Sequence, residues 1–276
     1  MQEQDLLLCS DRDQQENIIR EELFMQEQPL SHAELLELRR WNTPTIYNGW
    51  EAVTRKERLD VVMSNGAVND YVPQIGPMVG YAVTVEYICT DAKIKQENPD
   101  CYINFYRYLA SIPGPKVIIA KDLDAPDCKG SIFGEVTANA YHSLGCVGAI
   151  TDGYVRDCDE GSYAGFKMMG SRLGVGHAYS CPLRFGTEVE IFGAKVKPGM
   201  LIHADKYGFI AIAPEDTKYL LEGVRFMDSN ECRTTIPAGR DTTGLSPDEI
   251  VEQLRRANRE FAERAEAFRQ DVLSRD

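Results

Sequence analysis

The sequence lacks the short glycine motifs of several large enzyme classes. It contains no G-x-x-x-x-G-K-[ST] loop, no G-x-G-x-x-G between a predicted strand and a predicted helix, and no G-x-S-x-G. Such loops bind nucleotide phosphates or present a nucleophilic serine. Their absence disfavours nucleotide-binding and serine-hydrolase chemistry.

Cysteine and histidine also lack the spacing of a metal or disulfide framework. The eight cysteines form no C-x-x-C, and the four histidines are isolated from one another. A zinc ribbon or a disulfide scaffold is therefore not expected, and the thiols are predicted to be reduced and mostly structural. We interpret the histidines as surface or hydrogen-bonded core residues, as isolated histidines commonly are.

Long apolar runs and excess positive charge are absent as well. No apolar run approaches the roughly 20 residues of a membrane span, and the run Leu6–Cys9 is too short for a signal peptide. The formal net charge of −13 disfavours a nucleic-acid-binding surface, which needs clustered Lys and Arg. The sequence predicts a cytoplasmic protein with neither a membrane nor a nucleic-acid partner.

Three regions follow one another along the 276 residues. Residues 1–30, rich in Gln and Glu, predict an appended helical or partly ordered arm. Residues 31–245 carry helices, then a β-α-β-α-β order, then short strands, which favours a mixed α/β domain around a central sheet. Residues 246–276 predict one long charged helix. Capping-box patterns at Ser31–Glu34 and Ser246–Glu249 mark helix starts.

The predicted sheet contains several buried strands. Residues 81–88 are rich in β-branched and aromatic residues, and residues 117–120 and 147–150 are wholly apolar. The third of these strands is predicted to end before Asp152. Residues 188–212 alternate short strands and turns, which predicts a compact β meander.

Charged residues gather after two of these predicted elements. Glu135 opens a predicted helix after Gly134, and Arg156, Asp157 and Glu160 follow the third strand. One helix, a turn and a strand fit between Glu135 and Arg156, so both could reach the same end of the sheet. One interpretation is structural, with helix N-terminal acids and a salt bridge. The other is an anion site, in which an Arg grips a carboxylate and an acid binds a divalent cation.

This pattern resembles a known family. Gly134-Glu135, then Asp152-Gly153-Tyr154-Val155-Arg156-Asp157 with Glu160 three positions later, is similar to the RraA-like family. The closer likeness is to its class II 4-hydroxy-4-methyl-2-oxoglutarate/4-carboxy-4-hydroxy-2-oxoadipate aldolase branch. Residues 77–84 and 196–199 add to the likeness, which runs from about residue 43 to about residue 233.

Two positions depart from the family pattern. Glu135 stands where the family often has Asp, which changes its reach and not its charge. Met200 stands where the family usually has Asp after Pro-Gly, and we expect this to alter a turn rather than the site.

The resemblance implies a fold and an assembly. The fold would be an α/β, β/β/α sandwich resembling the phosphohistidine swivelling domain, with N-terminal helices and a long C-terminal helix in addition. The assembly would be a homotrimer or a hexamer, with a site at a subunit boundary that holds Mg²⁺ or Mn²⁺.

The resemblance also implies a role for each site residue. Asp157 would ligate the metal directly, and Glu160 would support it through water. Arg156 would bind the pyruvate moiety of a small 2-oxo acid and stabilise enolate charge, and Glu135 would contact metal-bound water. Backbone groups at Gly134, Val136 and Thr137 would bind the substrate carboxylate. Glu231 is the candidate for an acid supplied by a neighbouring subunit.

Two functions are consistent with this resemblance. The first is a metal-dependent, pyruvate-forming lyase that cleaves 4-hydroxy-2-oxo diacids, decarboxylates oxaloacetate, or does both. The second is a non-catalytic RraA-like regulator that binds a ribonuclease or another protein, for which the acidic balance would suit a basic partner.

Overall fold

The computed structural model describes residues 30–66 and 68–275. The predicted arm, residues 1–30, therefore lies outside the described residues except for Leu30, which is buried. Among the described helices, none is both long enough and apolar enough to cross a membrane.

The described helices lie at both ends of the chain and between the strands of its middle part. They are α1 His32–Leu38, α2 Thr43–Val53, α3 Ala92–Glu97, α4 Cys101–Ser111, α5 Glu135–Ser143, α6 Cys158–Tyr163, α7 Pro214–Thr217, α8 Leu220–Arg233, α9 Thr235–Arg240 and α10 Pro247–Leu273.

The strands occupy the middle of the chain. They are β1 Val62–Met63, β2 Asn69–Asp70, β3 Met78–Ile88, β4 Lys116–Asp122, β5 Ser131–Phe133, β6 Cys146–Val155, β7 Lys167–Leu173, β8 Cys181–Phe185, β9 Val189–Ile191, β10 Ala194–Val196, β11 Leu201–Asp205 and β12 Gly208–Ile212.

Ten of these strands form one sheet with the order β1-β12-β11-β3-β4-β6-β7-β2, while β5 pairs with β6 and β8 pairs with β3. The central neighbours β3, β4, β6 and β7 are parallel. Their carboxyl ends consequently lie at one edge of the sheet, together with the parallel strand β5. The predicted β meander is only partly correct, because β9 and β10 pair separately as a two-stranded sheet.

The domain has three layers, with the central sheet in the middle. Successive side chains of β4 point to opposite faces, so Ile118 packs among the aromatic residues of α4 and α5, whereas Val117 and Ile119 pack against the β9–β10 hairpin. The order hairpin, sheet, helices confirms the predicted β/β/α architecture. The N-terminal helices and α8 form a further apolar cluster against β11 and β12.

Local capping signals placed the helix ends well. Ser31 accepts from the Glu34 amide, and Ser246 accepts from the Glu249 amide, each with the reciprocal glutamate contact. Both capping boxes are therefore confirmed. The second helix begins at Thr43, because Asn42 caps it by accepting from the Thr45 amide.

One predicted strand boundary needs correction, and one strand was not predicted. Strand β6 does not end before Asp152 but continues to Val155, so Asp152 lies inside the sheet. The strand β7 follows directly after Phe166, although its sequence, with Lys167 at one end and Gly170 in the middle, shows no apolar alternation. Lys167 is tolerated there because its ammonium is buried against Asp70 at 2.6 Å.

Met200, the departure from the family pattern, lies in the turn before β11. The Met200 side chain is buried, and its sulfur accepts a hydrogen bond from the Lys197 amide at 3.3 Å. The buried thioether therefore bonds to the backbone of the turn and stabilises it.

Candidate functional site

The candidate site lies where β6 ends and α5 begins. Strand β5 runs parallel to β6, and the Arg156 amide donates to the Phe133 carbonyl at 3.0 Å. Phe133 is followed by Gly134, at which α5 starts. Two segments that are distant in sequence are therefore held side by side by one sheet pairing.

The side chains that the sequence singled out meet at this point. The Asp157 carboxylate accepts from the Glu135 amide at 3.1 Å through Oδ2, and the Arg156 Nε lies 3.4 Å from the same oxygen. The Arg156 and Asp157 side chains are 32% and 35% exposed. The site is thus a partly solvated ion pair at a helix N-terminus, a position that favours negative charge.

Gly134 is required for this approach. A Cβ built on Gly134 would lie 2.7 Å from Asp157 Oδ2 and 3.1 Å from Arg156 Nε. Any side chain here would push both charged groups away from the helix. Gly134 therefore acts through its lack of a side chain, and its amide and carbonyl contact the Thr137 hydroxyl at 3.0 and 2.9 Å.

The backbone at Asp157 is in the left-handed region, with φ of 51°. Asp and Asn tolerate this conformation better than most residues because their short polar side chains can bond locally. The conformation allows β6 to end and α6 to start without an intervening loop. It is a strained arrangement of the kind that accumulates at functional sites.

The first turn of α5 presents further donors. The amides of Val136 and Thr137 have no acceptor four residues earlier within the helix. The Val136 side chain is 77% exposed. These amides can bind an anion, as helix N-termini commonly do.

Glu160 lies one turn further along, in α6. It is exposed, as is Asp159, and its carbonyl accepts from the Ala164 amide. The helix that carries Glu160 begins directly after Asp157. The structure thus places Glu160 near Asp157 in the chain without a direct contact between their side chains among the described hydrogen bonds.

A loop of residues 174–180 also contributes to the site. The Arg156 guanidinium donates from Nη1 to the Val175 carbonyl at 3.1 Å. The loop is held by the Ser131 amide, which donates to the Gly176 carbonyl, and Gly130 packs closely against the His177 carbonyl. Gly174 and Gly176 are the sequence features that mark this loop, but their spacing could not predict that the loop contacts Arg156.

Asp152 belongs to a different arrangement. Its carboxylate pairs with Lys121 and accepts from the Asp122 amide at 2.7 Å. Burial raises the pKa of Asp152, and the hydrogen bond from Lys121 opposes this shift. Both carboxylate oxygens bind groups of β4, so Asp152 links β6 to β4 and does not take part in the Arg156 site.

A second group of acids could hold a metal ion. Ligand atoms of Cys89, Asp122 and Asp124 lie within 4.8 Å of one another. However, Asp124 already accepts from the amides of Cys89 and Thr90 and from the Thr90 hydroxyl. Burial raises the pKa of Cys89 to about 12, which opposes formation of a thiolate ligand. These contacts favour a role in joining the ends of β3 and β4.

Asp157 fits a hard divalent cation better. One of its oxygens is held by the Glu135 amide, and its carboxylate is more than one-third solvent-accessible at a site where Gly134 leaves room. Mg²⁺ favours oxygen ligands and retains several waters, so one or two protein carboxylates suffice. The donor set of Asp157 with Glu160 nearby is compatible with that preference.

Glu231, the candidate for a neighbouring subunit's acid, lies elsewhere in the chain. It is on α8, and its carboxylate accepts from the Asn48 side chain at 3.0 Å. It borders a groove of about 700 Å³ between α2, α8 and α10. Among the described contacts, none joins Glu231 to Arg156 or Asp157 of the same chain.

Comparison with solved structures shows a shared fold. A protein from Pseudomonas syringae pv. tomato matches with 19% identity and a TM-score of 0.61, over 82% of this chain and 96% of its own. A protein described among novel cellulases from gut-associated microbes matches with 17% identity and a TM-score of 0.61, over 74% and 88% of the two chains. At such identities the likeness concerns the fold alone.

A third solved structure is RraAS2 from Streptomyces coelicolor, described as an unusual member of the RNase ES inhibitor RraA protein family. It matches with 16% identity and a TM-score of 0.54, over 74% of this chain and 94% of its own. Among curated proteins, none matches this sequence.

The family model RraA-like (Aldolase/RraA) matches residues 43–211, which is more than half of the chain. The match includes the whole Gly134–Glu160 segment and leaves α8 and α10 outside. The chain therefore belongs to the RraA-like family, which contains both metal-dependent aldolases and non-catalytic ribonuclease inhibitors.

Proposed function

We propose that this protein is a divalent-metal-dependent lyase that forms pyruvate, by retro-aldol cleavage of 4-hydroxy-2-oxo diacids, by decarboxylation of oxaloacetate, or by both. The observation that carries the proposal is the shared contact of the Glu135 amide and the Arg156 guanidinium with one oxygen of Asp157. This arrangement gathers a guanidinium, a carboxylate and a helix N-terminus around a space that solvent can enter.

Asp157 would hold the metal, Mg²⁺ or Mn²⁺, and Glu160 would support it from the first turn of α6. When bound, such a cation supplies a Lewis acid for the oxygen that gains negative charge. Oxygen donors of this kind suit both ions.

Arg156 would bind the 2-oxo acid end of the substrate. Its planar fork can grip a carboxylate through two parallel hydrogen bonds, and its charge stabilises the enolate left by C–C cleavage. The Val175 carbonyl, 3.1 Å from Nη1, and Asp157 hold the guanidinium in place before substrate arrives. No lysine is needed for a Schiff base.

The amides of Val136 and Thr137 would bind the substrate carboxylate, since they have no intrahelical acceptor. Glu135 opens the same helix with an exposed side chain. We assign it the role of holding a water molecule that carries the proton to the enolate carbon.

We also propose that the site is completed in a homotrimer or hexamer. Large apolar side chains are exposed on the segments that carry the site: Val136 on α5 at 77%, Tyr163 on α6 at 89% and Val175 in the 174–180 loop at 94%. Exposed large apolar side chains are typical of interaction surfaces when they form a patch. A neighbouring subunit would supply an acid, for which Glu231 remains the candidate.

The same exposed apolar residues favour one alternative, a non-catalytic regulator that binds a ribonuclease or another protein. The net charge of −13 would suit a basic partner. The alternative requires no turnover, so the activity measurement separates the two.

The test is pyruvate release from a panel of 4-hydroxy-2-oxo diacids and oxaloacetate with Mg²⁺ present. We expect turnover that EDTA abolishes and that added Mg²⁺ or Mn²⁺ restores. Failure to release pyruvate from every substrate, with the metal supplied, would overturn the lyase proposal.

The role of Arg156 is tested with Arg156→Ala in the same assay. We expect it to lose turnover by about 10²–10³-fold, as removal of a charge-stabilising donor commonly does, while the oligomer measured by light scattering stays unchanged. Full activity in this variant would remove Arg156 from the site even if the wild-type protein is active.

A further inference from the structure

Three ligand atoms that the proposed lyase does not use lie together where β3 and β4 end. Cys89 directly follows β3, Asp122 is the last residue of β4, and Asp124 lies two residues further on. The two strands are parallel, with Tyr87 beside Asp122, so their carboxyl ends bring these residues together. One sulfur and two carboxylate oxygens consequently lie within 4.8 Å of one another.

The Asp122 carboxylate supplies the observation that points to a cation. The residue is fully buried, and its Oδ1 accepts from the Asp124 amide at 3.0 Å, whereas its Oδ2 has no hydrogen-bond partner among the described residues. The glycine at position 153 leaves room for this oxygen, because a Cβ built there would lie 2.6 Å from Oδ2. A buried carboxylate oxygen without a partner costs free energy, and such oxygens in proteins are usually paired. A metal ion would supply the missing partner.

The Asp124 carboxylate is held in place by the end of β3 and still has room for a cation. It accepts from the amides of Cys89 and Thr90 at 2.7 and 3.1 Å and from the Thr90 hydroxyl. A carboxylate has about four acceptor sites, so these three hydrogen bonds leave one of them free. Asp124 is half-buried and Thr90 is exposed, which gives a cation access from solvent on this side.

The donor set selects among cations. Zn²⁺ binds cysteine sulfur and aspartate oxygen at about 2.0–2.3 Å, whereas Mg²⁺ favours oxygen ligands alone. Small side-chain movements would bring the three donor atoms to these distances. Burial raises the pKa of Cys89 to about 12, so Zn²⁺ must displace the thiol proton when it binds, as it does from other cysteine ligands. The group therefore differs from Asp157, whose oxygen donors suit a hard cation.

We infer that Cys89, Asp122 and Asp124 bind one Zn²⁺ ion. The three side chains supply one sulfur and two oxygens, and a water molecule on the solvent-accessible Asp124 side completes the tetrahedral coordination. The ion gives Asp122 Oδ2 its partner and reinforces the hydrogen bonds by which Asp124 joins the ends of the two strands.

The zinc ion would also stabilise one side of the candidate site. The Tyr179 amide, in the 174–180 loop, donates to the Cys89 carbonyl at 3.0 Å. The same loop holds the Arg156 guanidinium through the Val175 carbonyl. An ion that fixes the end of β3 would therefore fix the segment on which this loop rests.

The experiment uses the full chain, treated with a chelator and returned to buffer that contains excess Mg²⁺ to compete for oxygen-only sites. Co²⁺ substitutes for Zn²⁺ in thiolate sites, and its bond to a thiolate gives a charge-transfer absorption that oxygen ligands do not give. We expect one equivalent of Co²⁺ to produce this absorption and Zn²⁺ to displace it.

Three variants test the ligands one at a time. Cys89→Ser should lose the thiolate absorption. Asp122→Asn and Asp124→Asn should each weaken zinc binding by about 100-fold, since loss of a residue that only supports a metal ligand already costs about 10–100-fold. The amide oxygen of Asn can still accept the backbone hydrogen bonds, so both proteins should fold.

The matched controls replace an exposed cysteine and an exposed acid. Cys232→Ser lies on α8, and Asp127→Asn lies in the loop that follows β4. Both should bind Co²⁺ and Zn²⁺ as the wild type does. Zn²⁺ should raise the melting temperature of the wild type and of both controls, because it binds the folded state, and should not raise that of Cys89→Ser.

A wild-type protein that shows no thiolate absorption with Co²⁺ would overturn the inference. So would a Cys89→Ser protein whose absorption equals that of the wild type. Neither measurement uses pyruvate release, so the outcome is independent of the proposed lyase activity.

Discussion

Two ion pairs at the carboxyl end of the sheet, Asp152–Lys121 and Asp157–Arg156, differ in their burial and in the closeness of their contacts. Asp152 is 11% exposed and binds both Lys121 and the Asp122 amide. Asp157, five residues later, is 35% exposed, and its contact with Arg156 is longer, at 3.4 Å. The first pair is largely buried by the fold, whereas the second remains partly open to solvent.

The difference teaches that charge content alone did not identify the site. The stretch from Asp152 to Glu160 contains four acids and one Arg, yet the acids beyond β6 are more exposed to solvent than Asp152 is. Burial inside a parallel strand commits Asp152 to its neighbour, because a charge placed there without a partner is costly.

The largest expected contrast comes from replacing each acid by its amide. Asp157→Asn keeps a residue that tolerates the left-handed backbone, and should lower pyruvate-forming kcat/KM by about 10³-fold, because the carboxylate charge is lost at the reacting centre. Asp152→Asn should cost about 1 kcal/mol of unfolding free energy by weakening one ion pair, and should alter kcat/KM by less than about 3-fold.

The measurements are steady-state pyruvate release and urea denaturation of both variants. An equal loss of activity in the two proteins would mean that the two pairs form one functional unit, and the comparison would fail.

A smaller effect is expected for Gly134→Ala. The new Cβ would meet the ends of two side chains, Asp157 Oδ2 and Arg156 Nε, rather than fixed backbone. The side chains can move aside, so we expect activity to fall by about 10–100-fold through misplacement while the melting temperature changes little.

Gly239→Ala is the matched control, since a Cβ there meets nothing within 4 Å. It should leave turnover unchanged. A Gly134→Ala protein with wild-type kcat/KM would show that the close approach of Asp157 to α5 is dispensable.

The smallest effect is expected for Glu160→Gln. This side chain is exposed and is assigned only an indirect contribution to the metal. We expect the Mg²⁺ concentration for half-maximal activity to rise by about 10-fold, as loss of an outer-shell ligand partner commonly produces, with little change in kcat at saturating Mg²⁺. A loss as large as that of Asp157→Asn would instead make Glu160 a direct ligand.

Much of the helical structure could be predicted because its signals are local. The capping boxes at Ser31 and Ser246 involve residues three apart, so the same atoms meet in any fold that contains the helix. Strand β7 was missed for the opposite reason. Its buried Lys167 needs Asp70, 97 residues away, before a strand can form there.

The candidate site, too, could be predicted only in part from the sequence. By itself, the sequence determined the order of Gly134, Glu135, Arg156 and Asp157 and their similarity to the RraA-like family. Only the tertiary structure decided that Asp152 pairs with Lys121 and that the 174–180 loop holds Arg156. These contacts join residues 31 and 19 positions apart in the sequence. No local pattern specifies such a partner, because the sheet pairings bring the residues together.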